Sequence, residues 1–183
     1  MNKMVARIIY AFRDRLSYDF SSVQCNMPPE LSAEIYNWGV DNIPDECLTN
    51  DGRQPQDDIH VTVKYGIHIV DPTKIRDHLM NQKNIKIKLG PVSLFDTNPE
   101  YDVVKLSVES DQLRDLNKMI NNNFEVTNTH PRYIPHITIA YVKKGSGDCL
   151  VGRDDFAGRE INLDGATFSG KDNRKTLLKF PVT

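Results

Sequence analysis

The sequence has too few cysteines for a disulfide framework. Cys25, Cys47 and Cys149 are odd in number, far apart and without a Cys-x-x-Cys pair, which excludes a stapled scaffold or zinc knuckle and points to a reducing compartment. Long hydrophobic runs are also missing. The apolar start, MNKMVARIIYAFRDR, is broken by Arg13, Asp14 and Arg15 before it can form a signal h-region, and no other stretch approaches membrane-span length. A cytoplasmic protein without a membrane partner is expected. Charge of one sign is scarce as well, with 23 Lys and Arg against 25 Asp and Glu. Without a basic field, a long nucleic acid gripped through many phosphates is not expected; a small ligand with locally held phosphates fits better.

What is present suits a globular protein: 183 residues, 39% hydrophobic and 26% charged, enough to bury a core. Residues 1–17 read as an N-terminal extension, and residues 18–183 as one domain ending in further strands or a lid. From Ser22 the pattern gives a strand to Met27, then a helix opened by Pro28 and Pro29 with Leu31, Ile35, Trp38 and Ile43 inward. A polar loop, PDECLTNDGRQPQDD, leads to the strand IHVTVKYGIHI. Asp71 caps a second helix with Ile75, Leu79 and Met80 as its apolar face. The runs IKIKLGPVSLF and YDVVKLSVE form an antiparallel pair, SDQLRDLNKMINNNF a third helix, and HITIAYVKKG a final motif strand. The tail from Ser146 carries one or two more strands.

The two motif strands lie roughly 76 residues apart, about one half-domain of such alternation, so the chain reads as an approximate duplication with a cleft between two similar lobes. Alternation along each strand puts His60, Thr62 and Lys64 on one face, and His136 and Thr138 on one face opposite Tyr141. A single His-x-Thr in a strand usually marks a satisfied edge histidine. Two at the same offset in matching halves ask for a shared role. Paired histidines can act as base and acid in one phosphodiester cleavage, while Thr62, Thr138 and Lys64 supply donors and charge to the non-bridging oxygens. No HxxxH, HxH or acidic partner pattern accompanies them, so no metal and no cofactor is expected.

IHVTVKYG and PHITIAYVKKG resemble the two HxTx motifs of the 2H phosphoesterase superfamily. That resemblance spans most of residues 20–145 and implies an α+β fold, bilobal and duplicated, with two antiparallel sheets facing a central cleft and helices outside. It also implies His60 and His136 as acid and base, with Thr62 and Thr138 binding phosphate. PPELSAEIYNWGVDNIP, LGPVSLFD, YDVVKLSVES and YIPHITIAYVKKG are similar to the phage anti-CBASS phosphodiesterases. This implies a cyclic di- or trinucleotide immune signal as substrate, opened by a ribose 2'-hydroxyl attacking the adjacent 3'-5' phosphodiester in the host bacterial cytoplasm.

Lys64, Tyr133 and Tyr141 are the candidate substrate-binding residues, Tyr133 because it sits in the loop before the second motif strand beside His130 and Arg132. Trp38 is expected in the core. Two alternatives stand: an RNA-end or 2',5'-oligoadenylate phosphodiesterase using the same residues, and a nucleotide sponge that binds without cutting, for which the threonines would matter and the histidines would not. The acid and base assignments, the preferred nucleotide and the oligomeric state are open at this level.

Overall fold

The computed structural model describes residues 18–79, 82–130 and 132–181. The expected extension, residues 1–17, and Met80 lie outside the described residues. In chain order the elements are β1 (Ser21–Asn26), α1 (Pro29–Asn42), β2 (Leu48–Arg53), β3 (His60–Ile67), α2 (Pro72–Leu79), β4 (Ile85–Phe95), β5 (Tyr101–Glu109), α3 (Asp111–Asn123), β6 (His136–Lys143), β7 (Glu160–Leu163), β8 (Gly165–Ser169) and β9 (Lys175–Lys179). The fold is α+β, as expected.

Local chemistry explains the helices. Proline opens α1, and Leu31, Ile35 and Trp38 bury along one side. Asp71 accepts from the Thr73 backbone N–H at 2.9 Å ahead of α2. Ser110 accepts from Leu113 N–H at 3.3 Å and caps α3, whose Leu113, Leu116 and Ile120 point inward. Among the described residues no helix is long and apolar enough to cross a membrane.

The strands form one antiparallel sheet in the order β7-β4-β5-β6-β3-β1-β8-β9, with β2 also pairing with β6. The two expected sheets are therefore two lobes of a continuous surface, joined where Val61 of β3 pairs with Ile137 of β6. Both residues are fully buried. The helices are exchanged between halves. Asn117 of α3 donates to the Val63 carbonyl of β3 at 2.7 Å. Backbone of α1 lies so close to β6 that a Cβ on Gly39 would sit 2.9 Å from Ile139 Cγ2. Each motif strand is thus covered by the helix of the other half.

Two elements depart from the sequence pattern. β2 was expected as loop: its burial runs half-buried and exposed without an apolar face, so no alternation marks it, and its register against β6 is Leu48 to Val142 and Arg53 to Ala140. The tail holds three strands rather than one or two, because β7, β8 and β9 each add only four or five residues between turns.

Both motif strands carry a β-bulge at the same place. Gln24 pairs with Thr62 and Val23 with Lys64, leaving Val63 without a partner; Lys105 pairs with Thr138 and Val104 with Ala140, leaving Ile139 without one. The freed Val63 carbonyl is the one that Asn117 takes, and Tyr133 Oη donates to the neighbouring Thr62 carbonyl at 3.0 Å. A second irregularity in β3 falls at Gly66, which has φ +93 and accepts from Thr127 N–H at 2.8 Å. A side chain there would collide with the Thr127 carbonyl oxygen. Gly66→Ala is expected to lose at least about 2 kcal/mol of stability from left-handed strain plus the collision, read by urea unfolding; an unchanged midpoint would contradict this account of the β3 end.

Candidate active site

Directly opposed residues of an antiparallel pair share a face. Carrying the Val61 to Ile137 pairing one residue each way sets His60 opposite Thr138 and Thr62 opposite His136. The four side chains make a quadrilateral in which opposed Cβ atoms stand about 5 Å apart and the histidines lie on a diagonal of roughly 7–8 Å. Adjacent strands extend it: Asn26 lies beside His60 and Gln24 beside Thr62, Lys105 beside Thr138 and Ser107 beside His136, and Ser93 beside Lys105. These neighbours are all polar, and the opposite face carries the core.

The bulges correct two expectations. Lys64 does not share the face of His60 and Thr62, because the bulge at Val63 moves it opposite Val23 on the core face. It is 8% exposed, its Nζ donates to Asn128 Oδ1 at 2.6 Å, and burial lowers its pKa. Tyr141 was placed opposite His136 by strict alternation; the bulge at Ile139 returns it to the polar face, paired with Val103 and edge-on to Tyr101 at 6.0 Å. Tyr65 is its counterpart in the first half, opposite Ser22 and edge-on to Phe20 at 5.8 Å. Tyr133 is half-buried with its hydroxyl committed to Thr62, so it steadies the motif strand. Trp38 is buried, as expected.

The histidines are oriented by the same device. His60 Nδ1 lies 2.6 Å from the Asp58 carbonyl, and His136 Nδ1 lies 2.8 Å from the Ile134 carbonyl. Each Nδ1–H donates to the carbonyl two residues back, which leaves Nε2 to exchange protons. Phe95 stands edge-on to the His136 ring at 4.7 Å and fixes its tilt.

Their electrical surroundings differ. Asp58 Oδ1 is 3.5 Å from His60 Nδ1, and the same carboxylate accepts from Lys175 Nζ at 2.5 Å, from Gln24 Nε2 at 3.0 Å and from Gln54 Nε2 at 3.4 Å. Burial acts to raise the Asp58 carboxyl, but the hydrogen bonds and charges of His60 and Lys175 outweigh it and hold it well below the usual carboxylate range. His136 is lowered instead, first by burial, against the Ile134 hydrogen bond, and further by the charges of Lys105, His60 and His130. Lys105 was not singled out as a site residue from sequence; counting cross-strand neighbours of the motif would have found it.

Residues 45–163 match the family model described as anti-CBASS protein Acb1. The chain belongs to this family. Its fold is that of E. coli LigT, whose complex with 3'-AMP aligns at TM-score 0.62 and 17% identity over 89% of this chain and 96% of that one. TT0787 of Thermus thermophilus aligns at 0.58 and 15% identity, covering 87% and 95%, and Kluyveromyces marxianus Usb1 with uridine monophosphate at 0.51 and 10%, covering 91% and 99%. No match is found among curated protein sequences. As an Acb1-family member with the 2H phosphoesterase architecture, the chain is a phosphodiesterase that counters CBASS defence.

A carboxyl held low contributes stability that is fully present above its unfolded value of about 4 and is lost as pH falls through the folded value. Wild type is therefore expected to exceed Asp58→Asn by on the order of 2 kcal/mol at pH 7, with the gap closing steadily below about pH 4. Paired urea titrations measure it; a gap independent of pH would rule out the ionised hub.

Proposed function

We propose that this enzyme opens cyclic di- or trinucleotides by attack of a ribose 2'-hydroxyl on the adjacent 3'-5' phosphodiester, with His136 as base and His60 as acid. The observation that carries this reading is the quadrilateral of His60, Thr138, Thr62 and His136 around the Val61 to Ile137 pairing, with each Nδ1 committed to a backbone carbonyl. His136 Nε2 takes the proton of the 2'-hydroxyl, whose oxygen bonds to phosphorus. The P–O5' bond breaks, and the departing O5' takes a proton from His60 Nε2. The nucleotide leaves with a 2',3'-cyclic phosphate at one end and a 5'-hydroxyl at the other. Thr62 and Thr138 donate hydroxyls to the non-bridging oxygens as their charge grows.

The assignment of roles follows from the surroundings. Burial and the Lys105 charge favour neutral His136, the form a base needs. His60 has the Asp58 carboxylate 3.5 Å away, placed to compensate a positive ring. On this ground the acid limb of kcat/KM against pH is expected below about 6.5, since the base is already free where an ordinary histidine is half protonated. A limb above that value would reverse the assignment.

His60→Ala and His136→Ala are each expected to lower kcat at least about a hundredfold on a cyclic oligonucleotide, with wild-type turnover persisting in EDTA. Linear oligonucleotides in the same panel distinguish an RNA-end enzyme. Recovery of intact ligand from denatured protein would identify a sponge, and ready cleavage of an all-deoxy ring would make water the nucleophile.

A further inference from the structure

Lys105 is a charged residue to which the reaction above gives no contact with the substrate. It is 5% exposed and stands on the polar face directly beside Thr138. Its Nζ donates to Ser93 Oγ at 2.7 Å and lies 4.3 Å from the centroid of the Phe95 ring. Ser93 Oγ is in turn 3.0 Å from Ser107 Oγ, and Ser107 is the neighbour of His136. Three lysines in contact with this sheet are matched by carboxylates, Lys144 by Asp102 at 2.8 Å, Lys175 by Asp58 at 2.5 Å and Lys86 by Glu160 at 2.7 Å, while buried Lys64 on the core face is held by neutral Asn128. Among the described residues, Lys105 has no carboxylate partner.

Burying an ammonium without an anion costs several kcal/mol even after relaxation. A serine hydroxyl and an aromatic face recover only part of that. The ammonium has three protons; Ser93 accepts one and the Phe95 ring covers a second direction, which leaves a donor uncommitted. The duplication makes the placement more pointed. The counterpart of Lys105, opposite Thr62 in the first half, is Gln24, a neutral side chain already bonded to Asp58. Among the direct cross-strand neighbours of the two threonines, positive charge is thus supplied in the second half alone.

We propose that Lys105 is a phosphate ligand, its Nζ donating to a non-bridging oxygen of the scissile phosphodiester beside the Thr138 hydroxyl. The inference rests on the phosphodiesterase reading and adds to it the group that meets the charge developing on that oxygen. Ser93, and through it Ser107, holds the ammonium in position while the site is empty.

Two measurements test this, both on the full chain. Inorganic phosphate is titrated into wild type, Lys105→Met and Lys105→Arg, with folding of each checked by thermal unfolding. Lys105→Met is expected to bind phosphate at least tenfold more weakly and to lower kcat by about a hundredfold or more, whereas Lys105→Arg retains most of the phosphate affinity. Phosphate binding by Lys105→Met at wild-type strength overturns the proposal. Should Lys105→Met fail to fold, the lysine side-chain nitrogen resonances of wild type, with Lys105 assigned through Lys105→Arg, decide instead: a Lys105 signal that moves with phosphate supports it, and one that stays fixed overturns it. Failure of wild type to cut any cyclic or linear oligonucleotide while this signal still responds would remove the reaction and leave the ligand assignment standing.

Discussion

The structure depends on one backbone pairing, that of Val61 with Ile137 at the seam of two lobes. Each is the middle residue of a His-x-Thr motif, and each is fully buried. Because the strands run antiparallel, centring the pair on the middle residue puts a histidine opposite a threonine twice. Burial of the two middle residues enforces that register: a slip by one would turn one motif strand over, sending its histidine into the core and its aliphatic middle residue into the polar face. The apolar anchor and the chemistry are therefore opposite sides of the same four backbone positions. The exchanged helices add to the constraint, since α3 grips β3 through Asn117 and α1 rests on β6 at Gly39, so neither half completes its motif strand alone.

Duplication supplies the geometry, and its breaking supplies direction. With identical surroundings the two imidazoles would be interchangeable and neither would be committed to giving or taking a proton. The neighbours differ at matched positions. Opposite Thr62 stands neutral Gln24, tied to an ionised Asp58; opposite Thr138 stands the cation of Lys105. A carboxylate beside one ring and an ammonium nearer the other set up a field along the diagonal between the two rings. Thr62 and Thr138 hold matching positions beside the histidines, as suits the proposal that they meet one phosphate from two sides.

Much of this was legible in the sequence because period-2 alternation and a repeated polar triplet are strong signals. The motif strands, three helices and the α+β class follow from them. What escaped has two physical causes. The bulges at Val63 and Ile139 reset the alternation, so Lys64 passed to the core face and Tyr141 to the polar face; nothing in VTVK or TIAY marks an unpaired residue, since the signal lies in the partner strand's register. The second cause is that pairing across strands is not written locally. Lys105 reads as an outward lysine of an alternating run, and only its position beside Thr138 gives it meaning. β2, polar and edge-paired, had no apolar stripe to announce it.

The supporting charges also explain how such a site stays intact between turnovers. In the proposed reaction, once His60 has given up its proton, Asp58 would be left a partly buried carboxylate facing a neutral ring. Lys175 from β9 and Gln24 from β1 still hold it, so it need not take up a proton and the ring is free to recover one. On the other side, an ammonium beside His136 without substrate would be an uncompensated charge; Ser93 and the Phe95 ring hold it. Two of these supports, Gln24 and Lys175, come from segments outside residues 45–163 that match the family model, from the strands flanking β3 on its outer side. The outer strands of the first lobe therefore do more than close the sheet: they keep Asp58 ionised, and with it the difference between the surroundings of the two histidines on which the proposed roles rest.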